Sequence, residues 1–126
     1  MYTALIIEDD KAVQLYLKRI LELKFQFKVC QAMNGLEGLK VLEENKVDLI
    51  FLDHSMPVMD GYEFLKIFRK EEKNNHIPVF VVTTTNDPQI IKEMIELGVD
   101  DYILKPFNPE TTYKRVLKVL VNKKKS

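Results

Sequence analysis

Five short runs rich in β-branched and aromatic residues, TALII, FKVCQA, VDLIFL, PVFVV and DYIL, alternate with stretches whose apolar residues recur at helical spacing. Those stretches are marked by Val13, Leu17, Ile20 and Leu21; by Leu36, Leu39 and Leu42; by Leu65 and Phe68; by Ile91, Met94 and Ile95; and by Val116, Leu117 and Leu120. Strict alternation of strand and helix predicts an α/β domain, a parallel sheet with helices on both faces. The unbroken hydrophobicity of the third and fourth runs predicts strands covered on both sides.

Turn chemistry agrees. Asn34-Gly35, Asp60-Gly61 and Asp87-Pro88 open turns or helices, Gly98 stands where a helix C-terminus is expected, and Asn108-Pro109 supplies an N-cap followed by proline at the first helical position. At 126 residues the chain suits one domain. We expect that domain over residues 1–122, with a solvated basic tail over 123–126. Lys and Arg number 19, as do Asp and Glu, so nothing in the charge balance suggests a nucleic-acid-binding surface. The start of the chain lacks the pattern of a signal peptide and no apolar run reaches membrane-spanning length, so membrane insertion is not expected and cytoplasm is the expected compartment. The single cysteine, Cys30, excludes an internal disulfide and reads as filler in a half-buried strand.

In a parallel sheet every strand ends at the same edge, and ligands bind outside those carboxyl ends. The residues following the runs are Glu8, Asp9 and Asp10 after the first, Asp53 after the third, Thr83 after the fourth and Lys105 after the fifth. Two carboxylates about 4 Å apart repel by about 4 kcal/mol at an effective dielectric of about 20, so a converging set needs raised pKa values or a cation. With oxygen donors and no histidine or thiol beside them, the expected cation is Mg²⁺. Lys105 and Thr83 supply the charge and hydroxyl that hold phosphoryl oxygens. An aspartate kept ionised in such a setting can attack phosphorus, which makes Asp53 the candidate nucleophile.

The motifs LIIEDD, FLDHSMPVMDG, VVTTT and DYILKPF, taken in order and spacing, resemble the receiver domain of bacterial two-component response regulators, the CheY-like family. The resemblance covers essentially the whole chain. It implies a flavodoxin-like (βα)5 fold with strand order 2-1-3-4-5. It also implies that Asp9, Asp53 and the backbone carbonyl of Ser55 ligate Mg²⁺, with Glu8 assisting largely through water. By the same resemblance Asp53 accepts the phosphoryl group from a sensor histidine kinase or a histidine phosphotransfer protein. Thr83 and Lys105 bind its oxygens, and the Lys105-Pro106 bond is cis. Thr83 and Tyr102 form the switch, remodelling a face over residues 88–122 that a downstream partner reads, in chemotaxis or a phosphorelay, as a monomer or a phosphorylation-dependent dimer. The domain is a phospho-acceptor that assists its own phosphotransfer and dephosphorylation rather than an enzyme, and it is expected to stand alone. Thr84 replaces the small residue usual in the family, adding bulk beside the site. Ser55 and Thr85 carry no acid or carboxamide to orient a water, so a long-lived phosphorylated state is expected.

Simpler readings compete at single positions. Asp10 alone could cap a helix, Thr83 alone could be a strand residue and Tyr102 alone could be core. His54, adjoining Asp53, should point to the opposite face; His76 reads as solvated, Met56 and Met59 as loop packing, and Lys114, Arg115 and Lys118 as a solvated helix face. Gly38 should weaken its helix by roughly 0.5 to 1 kcal/mol. A haloacid-dehalogenase-type phosphatase would need a second aspartate where Ser55 stands. A nucleotide-binding module would need a glycine-rich loop after a strand, and none is present. A receiver-shaped interaction module that accepts no phosphate is the remaining alternative.

Overall fold

A computed structural model describes residues 2–125. Its elements are β1 (Thr3–Ile7), α1 (Lys11–Phe25), β2 (Lys28–Ala32), α2 (Gly35–Glu44), β3 (Leu49–Leu52), α3 (Gly61–Phe68), a 3-10 turn (Glu72–Asn74), β4 (Val79–Thr83), α4 (Pro88–Glu96), β5 (Asp101–Leu104) and α5 (Pro109–Lys125). The strands form one parallel sheet in the order β2-β1-β3-β4-β5, the flavodoxin-like arrangement.

The period of two along each strand divides the core. Leu5, Ile7, Ile50, Leu52, Val79 and Val81 pack with Phe64, Leu65, Phe68 and Met94 of α3 and α4, while Ala4, Ile6, Leu49, Phe51, Phe80 and Val82 pack with Leu17, Leu21 and Val116 of α1 and α5. Every residue of β3 and β4 is buried, the reason their sequences show no polar alternation.

The helix starts follow their capping residues. Asp60 and Glu63 form a reciprocal capping box on α3, Asn34 caps α2, Asp87 caps α4 ahead of Pro88, and the Asn108 side chain accepts from the Thr111 N–H at 2.8 Å. Gly98, with φ of 87°, follows α4 as expected.

Three details go beyond the sequence pattern. Leu36, Ile95 and Leu117 are exposed, because the buried stripe of each helix is narrower than its run of apolar residues. The last helix runs on into the tail expected from residue 123, continuing to Lys125, since no glycine or proline stops it. Gly38 is a packing requirement more than a weakness: a β-carbon there would stand 3.1 Å from Ile7 Cγ1 and 3.4 Å from Phe64 Cε1, so glycine lets α2 lie close on β1.

Arg69, just past α3, ties two distant segments. Its guanidinium donates to the Asn74 carbonyl at 2.7 Å and the Gly98 carbonyl at 2.8 Å, and lies 3.5 Å from Asp100. Among the described residues no helix is long and apolar enough to cross a membrane.

Candidate phosphoryl and metal site

The registers Ile7 with Leu52, Leu52 with Val81 and Thr83 with Leu104 bring four strand ends to one edge. Hydrogen bonds extend the alignment past the strands: the Asp53 N–H donates to the Ile7 carbonyl at 3.0 Å and the Lys105 N–H to the Thr83 carbonyl at 2.8 Å. Glu8, Asp53 and Thr83 are buried at this edge and Asp9 is exposed beside them.

Glu8, Asp9 and Asp53 each bring a carboxylate oxygen within 4.8 Å of the others. All are hard oxygen donors, and the set fits a hard divalent cation such as Mg²⁺. Asp10 is not part of the cluster; it caps α1, accepting from the Ala12 and Val13 N–H groups at 2.8 and 3.2 Å.

Lys105 reaches into the cluster. Its Nζ is 2.5 Å from Glu8 Oε1 and 3.6 Å from Asp53 Oδ2. Burial pushes the Glu8 carboxyl up to about 8, helped by its hydrogen bond to Asp53 and the charge there, against the pull of Lys105. Burial alone would lower the Lys105 pKa, but the hydrogen bond to Glu8 and the charges of Asp53 and Glu8 outweigh it and hold the ammonium above its ordinary value. The Lys105-Pro106 peptide bond is cis.

The loop after β3 is held by a close approach that the Asp60-Gly61 turn signal alone does not reveal. A β-carbon on Gly61 would collide with the Asp53 carbonyl oxygen and come within 3.0 Å of His54 Cα, so only glycine leaves the main chain of Asp53 where it is. Ser55 is exposed in this loop, its hydroxyl 3.3 Å from His54 Nδ1. Met56 and Met59 pack on the core edge, and His76 is exposed.

A short relay leads outward from Thr83. The Thr85 N–H donates to Thr83 Oγ1 at 3.4 Å, and the Tyr102 hydroxyl donates to the Thr85 carbonyl at 3.2 Å. Tyr102 is half-buried, and burial pushes its phenol up, with the charges of Asp53 and Asp87 adding to the effect. Thr84 is exposed and, with Val13, Tyr16, Lys105, Pro106 and Phe107, lines a recess of about 270 Å³ beside the site. On α5, Arg115 is paired with Asp101 at 2.8 Å and Lys114 with Glu110 at 3.2 Å, while Lys118 is exposed.

Sequence reading missed Gln14. It is buried, and its carboxamide meets the carbonyls of Ile6, Glu8 and Ala32 at the ends of β1 and β2. The available signal was one polar residue, Gln14, on the helix face that Leu17 and Leu21 otherwise make apolar.

Comparison with known proteins agrees with this geometry. A sequence model described as response regulator receiver domain matches residues 4–117. Histidine kinase P4 of Formosa agariphila is 35% identical over 96% of this chain, which spans 9% of that protein. Transcriptional regulatory protein AfsQ1 of Streptomyces coelicolor is 34% identical over 95% of this chain, which spans 52% of it. The crystal structure of a CheY-like response regulator receiver domain protein from Methanospirillum hungatei superposes with a TM-score of 0.90 at 28% identity, covering 99% of this chain and 98% of that one. The chain thus spans about half or less of these curated relatives, and nearly all of a receiver domain. It belongs to the response regulator receiver domain family of two-component signalling.

Proposed function

We propose that Asp53 is the phosphoacceptor of this receiver and that the face built from α4, β5 and α5 reports its state to a partner. The observation that carries the reading is the buried Asp53 carboxylate, 3.6 Å from the Lys105 ammonium and within reach of Glu8 and Asp9. An Asp53 oxygen attacks the phosphorus of a phosphohistidine on a histidine kinase or histidine phosphotransfer protein. The phosphorus–nitrogen bond breaks, its electron pair leaves on the imidazole, and an acyl phosphate remains. Lys105 and the Thr83 hydroxyl hold the phosphoryl oxygens as their charge shifts. Glu8, Asp9, Asp53 and the Ser55 carbonyl would hold Mg²⁺, which when bound supplies positive charge against the same oxygens. The apolar recess beside Lys105 offers the donor protein a place to pack.

Incubation with acetyl phosphate and Mg²⁺, followed by intact-mass measurement, tests the reading: one phosphoryl group should add, and none without the metal. An unmodified chain would favour the receiver-shaped module that takes no phosphate, and steady turnover of phosphomonoesters would favour the phosphatase. Against the phosphatase stands Ser55, exposed and without an acid, where that chemistry needs its second aspartate.

The switch runs through Thr83, Thr85 and Tyr102. A phosphoryl group drawing on the Thr83 hydroxyl competes with its bond from the Thr85 N–H, and Thr85 is the residue whose carbonyl holds Tyr102. Tyr102→Ala is expected to leave phosphorylation intact while weakening the phosphorylation dependence of partner binding. Undiminished discrimination between the two forms by the mutant would remove Tyr102 from the switch.

The Glu8 titration gives a second expectation. A carboxyl that is protonated up to about pH 8 must release its proton to serve a metal. Magnesium affinity should therefore rise with pH, by up to about tenfold per unit, and level off above the Glu8 titration. In the metal-free chain the sign is opposite. The folded pKa lies above the unfolded one of about 4.5, so the stability it contributes is complete below pH 4.5 and is lost as pH rises to about 8. Calorimetry of magnesium binding in buffers of different ionisation enthalpy checks the first, and metal-free melting against pH the second.

A further inference from the structure

Gln14 is the fourth residue of α1, and both its main chain and its side chain bind the segment that carries the acidic site. Its N–H donates to the Asp10 carbonyl at 3.0 Å, closing the first turn of the helix. Its Nε2 lies 3.0 Å from the Glu8 carbonyl, 2.8 Å from the Ala32 carbonyl and 3.2 Å from the Ile6 carbonyl. Carbonyls only accept, so the Nε2 end of the amide must face them. Gln31 fixes the other end, donating from Nε2 to Gln14 Oε1 at 3.0 Å.

The consequence lies between those anchors. The last bond of the β1–β2 ladder runs from the Glu8 N–H to the Ala32 carbonyl at 3.0 Å, and beyond it the Glu8 carbonyl leaves the sheet. Glu8 is thus held from one side and Asp10 from the other by the same residue, with Asp9 bracketed in the middle. The residue is only 3% exposed, so water offers no easy substitute for the amide.

We propose that Gln14 is a positioning residue for the acidic site: its carboxamide pre-sets the main chain of Glu8 and Asp9 so that their carboxylates converge on a divalent cation. The inference rests on the magnesium reading of the cluster. A cation that must first order its ligands binds more weakly, and loss of such supporting contacts lowers metal affinity by about ten- to a hundredfold.

The test is calorimetric titration of the full chain with magnesium chloride, using Gln14→Leu, Gln31→Ala, Asp9→Asn and Val116→Ala, the last a buried truncation in α5 remote from the site. Gln14→Leu should raise the magnesium Kd about tenfold, whereas Val116→Ala leaves it unchanged although it also loses stability. Gln31→Ala, at an exposed position, should shift Kd less and in the same direction, and it carries the test if Gln14→Leu does not fold. In phosphorylation by acetyl phosphate, the half-saturating magnesium concentration for Gln14→Leu should rise by the same factor while the plateau rate holds.

Parental affinity in Gln14→Leu, or in Gln31→Ala where the former is unfolded, overturns the inference. Equal weakening by Val116→Ala does so too. Magnesium binding that survives Asp9→Asn, or is absent from the parent, sinks the metal reading itself.

Discussion

Asp53→Asn is expected to abolish phosphoryl incorporation. The replacement has almost the same shape, so β3 and the Gly61 contact with its main chain should persist, but a neutral carboxamide is a poor nucleophile toward phosphorus. The measurement is a hydroxylamine-labile phosphoryl adduct on the intact chain after treatment with acetyl phosphate and magnesium. An adduct at the parental level in the variant would mean that another residue accepts the phosphate, and the proposed chemistry would fail. The same substitution has an electrostatic consequence. Asp53 helps raise the Glu8 pKa through a hydrogen bond and through charge, so Glu8 should titrate below pH 8 in the variant, and the metal-free fold should lose less stability as pH rises.

Lys105→Met should slow phosphorylation by about a hundredfold without abolishing it, the magnitude usual for removing one preorganised group from a developing charge. Methionine keeps the apolar stem and removes the ammonium that stands 2.5 Å from Glu8 and 3.6 Å from Asp53. The defect should appear in the plateau rate at saturating magnesium, because the lost group is the one proposed to bind phosphoryl oxygens. That separates Lys105 from Gln14, whose loss should move only the half-saturation point. A plateau rate equal to the parent's would show that Lys105 merely balances the charge of Glu8 and Asp53. Glu8 should also titrate higher in this variant, since Lys105 is what pulls it down.

Much of this architecture is readable from residues. The alternation of strand and helix gives the five strands, and parallel pairing then makes Glu8, Asp9, Asp53, Thr83 and Lys105 neighbours although 97 residues separate the first from the last. What sequence conceals is whatever depends on three-dimensional approach. Gly61 reads as a turn residue, but its requirement comes from the Asp53 carbonyl, which becomes a neighbour only when the loop folds back. Gln14 reads as one polar residue on a helix, because carbonyls of β1 and β2 leave no mark in the amino-acid pattern. Ile95 and Leu117 share the spacing of buried residues yet face outward, since periodicity locates a stripe but not its width. Asp10 carried two readings, acidic site or helix cap, and only the hydrogen bonds to its carboxylate decide for the cap.

Arg69 gives α4 unequal ends. The Gly98 carbonyl behind the helix is gripped by a guanidinium that also holds Asn74 and Asp100, whereas the leading end begins at exposed Asp87, four residues past Thr83. A beam clamped at its rear swings most at its tip. A displacement started near Thr83 is therefore expected to be largest at the front of α4 and smallest at its Gly98 end.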